Sequence, residues 1–131
     1  MTIPVLDKPL PRADQPAASA RDATRVFLAR AARIRAPARG GSFDAVLLVV
    51  AELVTNAIRH TDGPCTLHLE LRDDSVDVRV ADTNPQPPKP RAPHTDGTGG
   101  WGWILVNHLA TCIHIEPAPG GGKTICAHLP W

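Results

Sequence analysis

Two neighbouring segments in the middle of the chain alternate almost without exception between apolar and polar residues. Their apolar positions are spaced by two: Leu67, Leu69, Leu71, Val76, Val78 and Val80. Asp73 and Asp74 provide a turn signal between the two segments. Because side chains alternate across a strand, this pattern predicts a β-hairpin with one apolar face. Such a face has to be buried against a second layer of structure.

The N-terminal part of the chain is predicted to contribute one helix to that second layer. Residues 1–12 are interrupted by prolines and are predicted to form an edge strand or an extended arm, with a flexible arm over residues 1–9. A helix follows from about Ser19 to Arg35. Ser19 and Asp22 have the spacing of an N-terminal capping box, which indicates that the helix begins there.

A second helix is predicted from Ser42, a residue suited to capping, to His60, and a glycine and a proline at positions 63 and 64 end it. Between Ala45 and Ile58 it is apolar almost all round. Its second half carries one polar stripe at helical spacing: Glu52, Thr55, Asn56, Arg59 and His60. A helix end that reaches solvent gives such a stripe. A carboxylate and a carboxamide one turn apart are also the pair needed for a general base beside a metal ligand.

The remainder of the chain is predicted to hold a long loop, a helix and two further strands. The segment from Thr83 to Gly100 is rich in proline and glycine and too long for a plain connection, which is typical of a lid. A helix is predicted from Trp103 to Thr111, and a strand begins at Ile113. Glycines at positions 120–122 turn the chain into a last strand from Lys123 to Leu129.

Helices that are segregated from hairpin-connected strands are typical of an α+β protein. We therefore predict a two-layer sandwich with its helices on one face of a mixed, mainly antiparallel sheet. A chain of 131 residues is too short to give two stable cores, so we expect a single domain over residues 1–131.

Charge, hydropathy and cysteine content exclude several classes of protein. Lys and Arg number 14 against 13 Asp and Glu, and the resulting net charge of +1 lacks the basic excess of a nucleic-acid-binding domain. The longest apolar run, residues 45–51, is far shorter than the roughly 20 residues that cross a bilayer. The cysteines are odd in number, which is typical of reduced thiols. We therefore expect a cytoplasmic protein that binds neither nucleic acid nor membrane.

Asp82 is a polar residue at a position where the strand pattern requires an apolar one. It continues the series of Val78 and Val80, so its carboxylate should point to the apolar side of the strand. An unpaired buried charge costs several kcal/mol, and some partner is therefore expected there. A fixed acceptor in a pocket would suit an exocyclic amine such as that of adenine, whereas an aspartate that starts a turn is the common alternative.

Residues 96–102 (DGTGGWG) form a glycine-rich segment that runs directly into the third predicted helix. Glycines allow backbone N–H groups to approach an anion closely, and a helix N-terminus adds positive partial charge. Alone, such a segment is more commonly a flexible linker. It also lacks the strand before it that a dinucleotide-binding glycine motif requires.

Taken together, these features resemble the Bergerat-fold ATPases, the superfamily of gyrase, heat-shock chaperone and histidine-kinase ATP domains. Residues 51–60 (AELVTNAIRH) look like the N box of this superfamily, residues 80–82 (VAD) like the start of its adenine box, and residues 99–102 (GGWG) like its second glycine box. The resemblance extends over about Leu10 to Pro130. It is greatest to the small anti-sigma-factor serine kinases of bacterial signalling.

The resemblance implies a role for each matching residue. Glu52 would be the general base, Asn56 would coordinate a Mg²⁺ ion that bridges the ATP phosphates, and Asp82 would accept from the adenine amino group. Four further residues would contact the nucleotide, the glycines through backbone N–H groups: Gly99, Gly100, Gly102 and Thr124. Residues 83–100 would be the ATP lid.

The same resemblance implies partners and cofactors. The protein would use ATP and Mg²⁺ as a protein serine/threonine kinase, phosphorylate an anti-sigma antagonist and sequester a sigma factor, and homodimers are compatible with this family. The sequence departs from the pattern of this family at two places in the nucleotide site. Asn84-Pro85 stand where relatives often have a glycine, and Lys123 takes the place of the first of two threonines that relatives often have.

Other interpretations of the sequence stay open. One is a zinc site formed by two strands that each carry a cysteine and a histidine on one face: Cys112, His114, Cys126 and His128. Another is a catalytically silent ATP-binding domain. A third is a purely partner-binding regulatory domain whose nucleotide site is degenerate.

Overall fold

The computed structural model describes residues 4–61, 63–84, 102–118 and 120–131. In these ranges three helices and five strands follow one another: β1 (Val5–Leu10), α1 (Pro16–Ile34), α2 (Ser42–His60), β2 (Cys65–Leu71), β3 (Ser75–Asp82), α3 (Gly102–Leu109), β4 (Cys112–Pro117) and β5 (Lys123–Pro130). None of the three helices is both long and apolar enough to cross a membrane.

The five strands form one sheet in the order β1-β2-β3-β5-β4. All four pairings between described strands are antiparallel. The predicted hairpin is formed by β2 and β3, in which Leu69 lies opposite Val78. β5 returns beside β3, so that Asp82 at the end of β3 lies opposite Lys123 at the beginning of β5. The predicted α+β sandwich is confirmed.

One face of the sheet is packed against the helices and forms the core. The alternating residues of β2 and β3 are all buried there: Leu67, Leu69, Leu71, Val76, Val78 and Val80. The apolar side of α2 supplies the opposite half: Val46, Val49, Val50, Leu53, Val54 and Ala57. Burial of each Leu or Val side chain contributes about 1.5–3 kcal/mol. This interface fixes α2 against the sheet, and with it the position of the polar stripe on α2.

The N-terminal region agrees with the predicted edge strand and differs from the prediction in the flexible arm and in the start of the first helix. Residues 5–10 form the edge strand β1, paired with β2, and not a flexible arm. The capping box was wrong: α1 begins at Pro16, and the N–H of Ser19 donates to the carbonyl of Gln15 over 3.0 Å. Proline is favoured in the first turn because its φ is already helical and the N–H it lacks would be unpaired there.

The start of α2 also lacks the side-chain cap that was expected from Ser42. Ser42 is the first helical residue, and the residue before it, Gly41, takes the cap position with φ 97°. A positive φ is readily adopted by glycine, which has no Cβ. The predicted end of α2 is confirmed at His60.

Candidate functional site

The second half of α2 passes the beginning of α3, and Glu52 lies at this contact. A Cβ atom added to Gly102 would lie 2.7 Å from Cδ of Glu52 and would overlap its Oε2 atom. The half-buried carboxylate therefore lies directly against the first residue of α3. Only a glycine at position 102 leaves room for the carboxylate of Glu52 where it lies. Two residues that the sequence predicted for the site are thus brought into contact.

The other end of the polar stripe is fixed to the end of β3. Nδ2 of Asn84 donates to the carbonyl of His60 over 2.9 Å. Asn56 lies one turn from Glu52 and one turn from His60, which is about 6 Å along the axis in each direction. The stripe of α2 therefore extends from the start of α3 to the end of β3, with the carboxamide of Asn56 midway.

Asp82 is buried at this end of the sheet, as the strand alternation predicted, and it has the expected partner. Nζ of Lys123 lies 3.1 Å from Oδ1 and 3.0 Å from Oδ2 of Asp82. The side chains of Asp82 and Lys123 are only 2% and 4% exposed, so this ion pair is shielded from water. The N–H of Asn84 also donates to Oδ1 over 2.9 Å. The charge of Asp82 is therefore compensated within the protein.

Lys123 is a site residue that the sequence reasoning missed. In β5 the side chains of Lys123, Ile125, Ala127 and Leu129 are buried on one face, which is the face of the core. The same alternation places Thr124 on the opposite face. The residue beside Asp82 is therefore Lys123 and not Thr124. The sequence shows that Lys123 shares a strand face with apolar residues, as Asp82 does, but the pairing of the two requires that β3 and β5 are neighbours.

The thiol of Cys65 lines the same region. Burial raises the pKa of this thiol, and the charge of Asp82 raises it further. The thiol is therefore protonated at neutral pH and acts as a small apolar group beside the ion pair.

The end of β3 is packed closely against the turn that precedes β5. A Cβ atom on Gly122 would overlap the carbonyl oxygen of Asp82 and lie 2.9 Å from its carbonyl carbon. Here the neighbouring atoms belong to the backbone, which cannot rotate away as a side chain can. This close approach holds Asp82 and Lys123 in register.

We expect Gly122→Ala to destabilise the protein by about 1–3 kcal/mol, since the added methyl group overpacks a fixed backbone contact. Urea unfolding followed by circular dichroism measures this loss. Gly40→Ala is the matched control, because a Cβ at Gly40 has no atom within 4 Å. Equal free energies of unfolding for the two variants would contradict the close contact.

The cysteines and histidines proposed for zinc lie on the sheet face that carries no helix. Sγ of Cys112 is 3.1 Å from Nε2 of His114, and Sγ of Cys126 is 3.7 Å from Nε2 of His128. However, the described residues contain no group of three or more His, Cys, Asp or Glu side chains that could hold a metal ion. Burial raises the pKa of the Cys126 thiol, although Arg79 lowers it, which disfavours a thiolate ligand. The zinc interpretation is not supported.

Two of the glycines predicted to bind phosphate, Gly99 and Gly100, lie outside the described residues, as does the predicted lid after Asn84. Gly102 is described and begins α3. The fold and these contacts define an α+β domain. The polar stripe of α2 extends in it from the start of α3 to the end of β3.

The chain belongs to the histidine kinase-like ATPase domain family, whose model matches residues 11–128. Membership of this family implies ATP binding. The fold is also similar to a chain in the crystal structure of the SiaB–SiaC complex from Pseudomonas aeruginosa, with a TM-score of 0.61 and 13% sequence identity over 96% of this chain and 89% of that chain. No match was found among curated protein sequences.

Proposed function

We propose that this protein is a cytoplasmic Mg²⁺·ATP-dependent serine/threonine kinase of the anti-sigma type. The observation that carries the proposal is the placement of Glu52 against Gly102 at the start of α3, one helical turn from the carboxamide of Asn56. The start of a helix presents free backbone N–H groups and positive partial charge. A carboxylate, a carboxamide and an anion-binding helix end are thus adjacent, as phosphoryl transfer requires.

In this proposal ATP lies along the polar stripe of α2. The adenine base lies at the end of β3, beside Asp82, whose carboxylate is the group there that could accept from its exocyclic amine. The phosphates extend towards the start of α3, where Glu52 lies against Gly102. In this proposal the adenine base, the metal ligand and the transferred phosphate follow one another along α2.

Glu52 is proposed as the general base. It is half-buried and lies at the helix end where the terminal phosphate would be bound. A carboxylate in this position can accept the proton of an attacking serine hydroxyl. Alignment of that hydroxyl with the terminal phosphate would depend on the protein substrate.

Asn56 is proposed as the protein ligand of Mg²⁺. Magnesium prefers oxygen ligands and retains several waters, so one carboxamide oxygen together with phosphate oxygens is a sufficient set. Asn56 is half-buried on the polar side of α2 and remains accessible to a ligand there. Bound Mg²⁺ would neutralise charge on the phosphates during transfer.

The proposed partners are a sigma factor and an anti-sigma antagonist that carries the phosphorylated residue. The support for them is the resemblance of the sequence, over about Leu10 to Pro130, to the anti-sigma-factor kinases. The similar fold in the SiaB–SiaC complex belongs to an assembly of two proteins, which is compatible with a domain that acts on a protein partner.

The test is to incubate the purified protein with Mg²⁺ and γ-labelled ATP, together with candidate antagonist proteins from the same genome. Transfer of label to a serine or threonine of one antagonist is expected. Calorimetric titration with Mg²⁺·ATP is performed in parallel. Tight ATP binding without labelling of any antagonist would contradict the proposed kinase activity. The protein would then be a catalytically silent ATP-binding domain that acts by sequestration.

We expect Asn56→Ala to weaken Mg²⁺·ATP binding by about tenfold, because one protein ligand of the metal is lost. Binding of ATP in the presence of EDTA should be nearly unchanged, since no metal is then shared. Asn107→Ala is the control, because Asn107 is exposed and its Nδ2 donates to Trp103 within α3. An equal loss of affinity with and without Mg²⁺ would contradict the role as metal ligand.

A further inference from the structure

The ammonium group of Lys123 is bound by three oxygen atoms. Two belong to the carboxylate of Asp82, at 3.1 and 3.0 Å, and the third is the carbonyl oxygen of Asn84, at 3.0 Å. An ammonium group has three protons and accepts no hydrogen bond. Lys123 donates hydrogen bonds to Oδ1 of Asp82 and to the carbonyl of Asn84, and Oδ2 of Asp82 completes the ion pair.

The carboxylate of Asp82 is also largely occupied. An ionised carboxylate accepts about four hydrogen bonds, two at each oxygen. Oδ1 accepts from Lys123 and from the N–H of Asn84, and Oδ2 lies 3.0 Å from the ammonium nitrogen as part of the ion pair. Because Nζ is nearly equidistant from the two oxygens, it lies in front of the carboxylate, where an incoming donor would otherwise bind. The acceptor positions that are left are on Oδ2, which the ammonium group already faces.

The competing donors differ in strength. Lys123 donates from a charged group that is already buried, whereas the exocyclic amine of a base is neutral and must leave water. Both donors would make hydrogen bonds strengthened by the charge of the carboxylate, but only the ammonium adds the attraction between two opposite charges, which is stronger in a buried site than in water. Exchange of the ammonium for a base amine at Asp82 is therefore unfavourable.

We propose that Lys123 is a specificity-determining residue that competes with the nucleotide base for Asp82. The inference rests on the proposed function, because it assumes that nucleotide binds with its base at Asp82. With Lys123 in place, the 6-amino group of adenine adds little to affinity, and binding depends on the phosphates and the sugar. Loss of Lys123 frees Asp82 for the base and makes the site selective for a 6-amino purine.

The test compares ATP with purine riboside triphosphate, which differs from ATP only in lacking the 6-amino group. Calorimetry with Mg²⁺ is performed on the wild-type protein, on Lys123→Thr and on Lys123→Thr combined with Asp82→Asn. The threonine hydroxyl retains one donor for Asp82, and Lys123→Ser is the second variant if Lys123→Thr does not fold. Lys8→Thr is the control, because it makes the same change of charge on the edge strand β1.

We expect the wild-type protein to bind the two nucleotides with affinities within about threefold of each other. In Lys123→Thr the ratio of ATP affinity to purine riboside triphosphate affinity should rise about tenfold, and addition of Asp82→Asn should abolish the rise. A lysine that only attracts phosphate would change both affinities together and leave the ratio constant. Lys8→Thr should leave the ratio at its wild-type value.

Three results would overturn the inference. A wild-type ratio above tenfold would show that the amine already reaches Asp82, and an unchanged ratio in folded Lys123→Thr would show that the lysine does not compete. Both results leave the proposed nucleotide site intact, since nucleotide is still bound. Absence of binding of either nucleotide to all of the proteins would instead overturn the proposed function, and the inference with it.

Discussion

Replacement of Glu52 by Gln is expected to lower phosphoryl transfer to the antagonist by about 10²–10⁴-fold. Glutamine has nearly the same shape and can occupy the same space beside Gly102, but it cannot accept the proton of the attacking hydroxyl. In the proposed arrangement Glu52 contacts that proton and does not contact the nucleotide. Affinity for Mg²⁺·ATP, measured by calorimetry, should therefore stay within about threefold of the wild-type value.

The design of this experiment separates a chemical role from a structural one. Glu70→Gln makes the same substitution on β2 and should leave transfer unchanged. The rate is measured as initial transfer of γ-labelled phosphate at saturating ATP and antagonist. Transfer by Glu52→Gln at the wild-type rate would show that another group is the base, and parallel losses of transfer and of ATP affinity would indicate that Glu52 acts through binding.

The part of the site carried by α2 could be predicted from the sequence because helical and strand periods are read directly from residue spacing. The polar stripe begins at Glu52, and the other residues of α2 after Asp44 are apolar. The stripe therefore locates the side of α2 that is not packed against the sheet. The inward position of Asp82 followed in the same way from the alternation of β3. Both predictions depend on local pattern alone, and that is why they agree with the structure.

The partner of Asp82 could not be identified by local pattern, because it depends on which strands are neighbours. β5 follows β3 in the chain only after α3 and β4, yet it lies beside β3 in the sheet. Once that order is known, the register places Lys123 opposite Asp82. The physical requirement for a counter-ion was predictable, whereas its identity needed the topology.

The beginning of α1 shows how two local signals can compete. Ser19 and Asp22 had the spacing of a capping box, but a proline at position 16 offers an earlier start. Because proline is pre-organised for the first turn, the helix begins there and includes Ser19. The cap residue Gln15 has φ 48°, an uncommon conformation that sequence spacing did not indicate.

The contact between Gly102 and Glu52 predicts that a methyl group added to Gly102, which has no catalytic side chain of its own, will impair transfer. We expect Gly102→Ala to lower transfer by about 10²-fold. The added Cβ would overlap Oε2 of Glu52, and the carboxylate must move because it is the end of a flexible side chain. A displacement of about 1 Å at a catalytic group can cost about 10²-fold in rate.

The stability of Gly102→Ala should change little, since the side chain of Glu52 can move without disturbing the core. Thermal unfolding measures this, and the rate is measured as for Glu52→Gln. The decisive comparison is the double variant Gly102→Ala with Glu52→Gln: if the methyl group acts through the carboxylate, the double variant should be no slower than Glu52→Gln alone. Losses that multiply in the double variant would show that Gly102 acts independently of Glu52, and wild-type transfer by Gly102→Ala would show that Glu52 is not held at the start of α3 during the reaction.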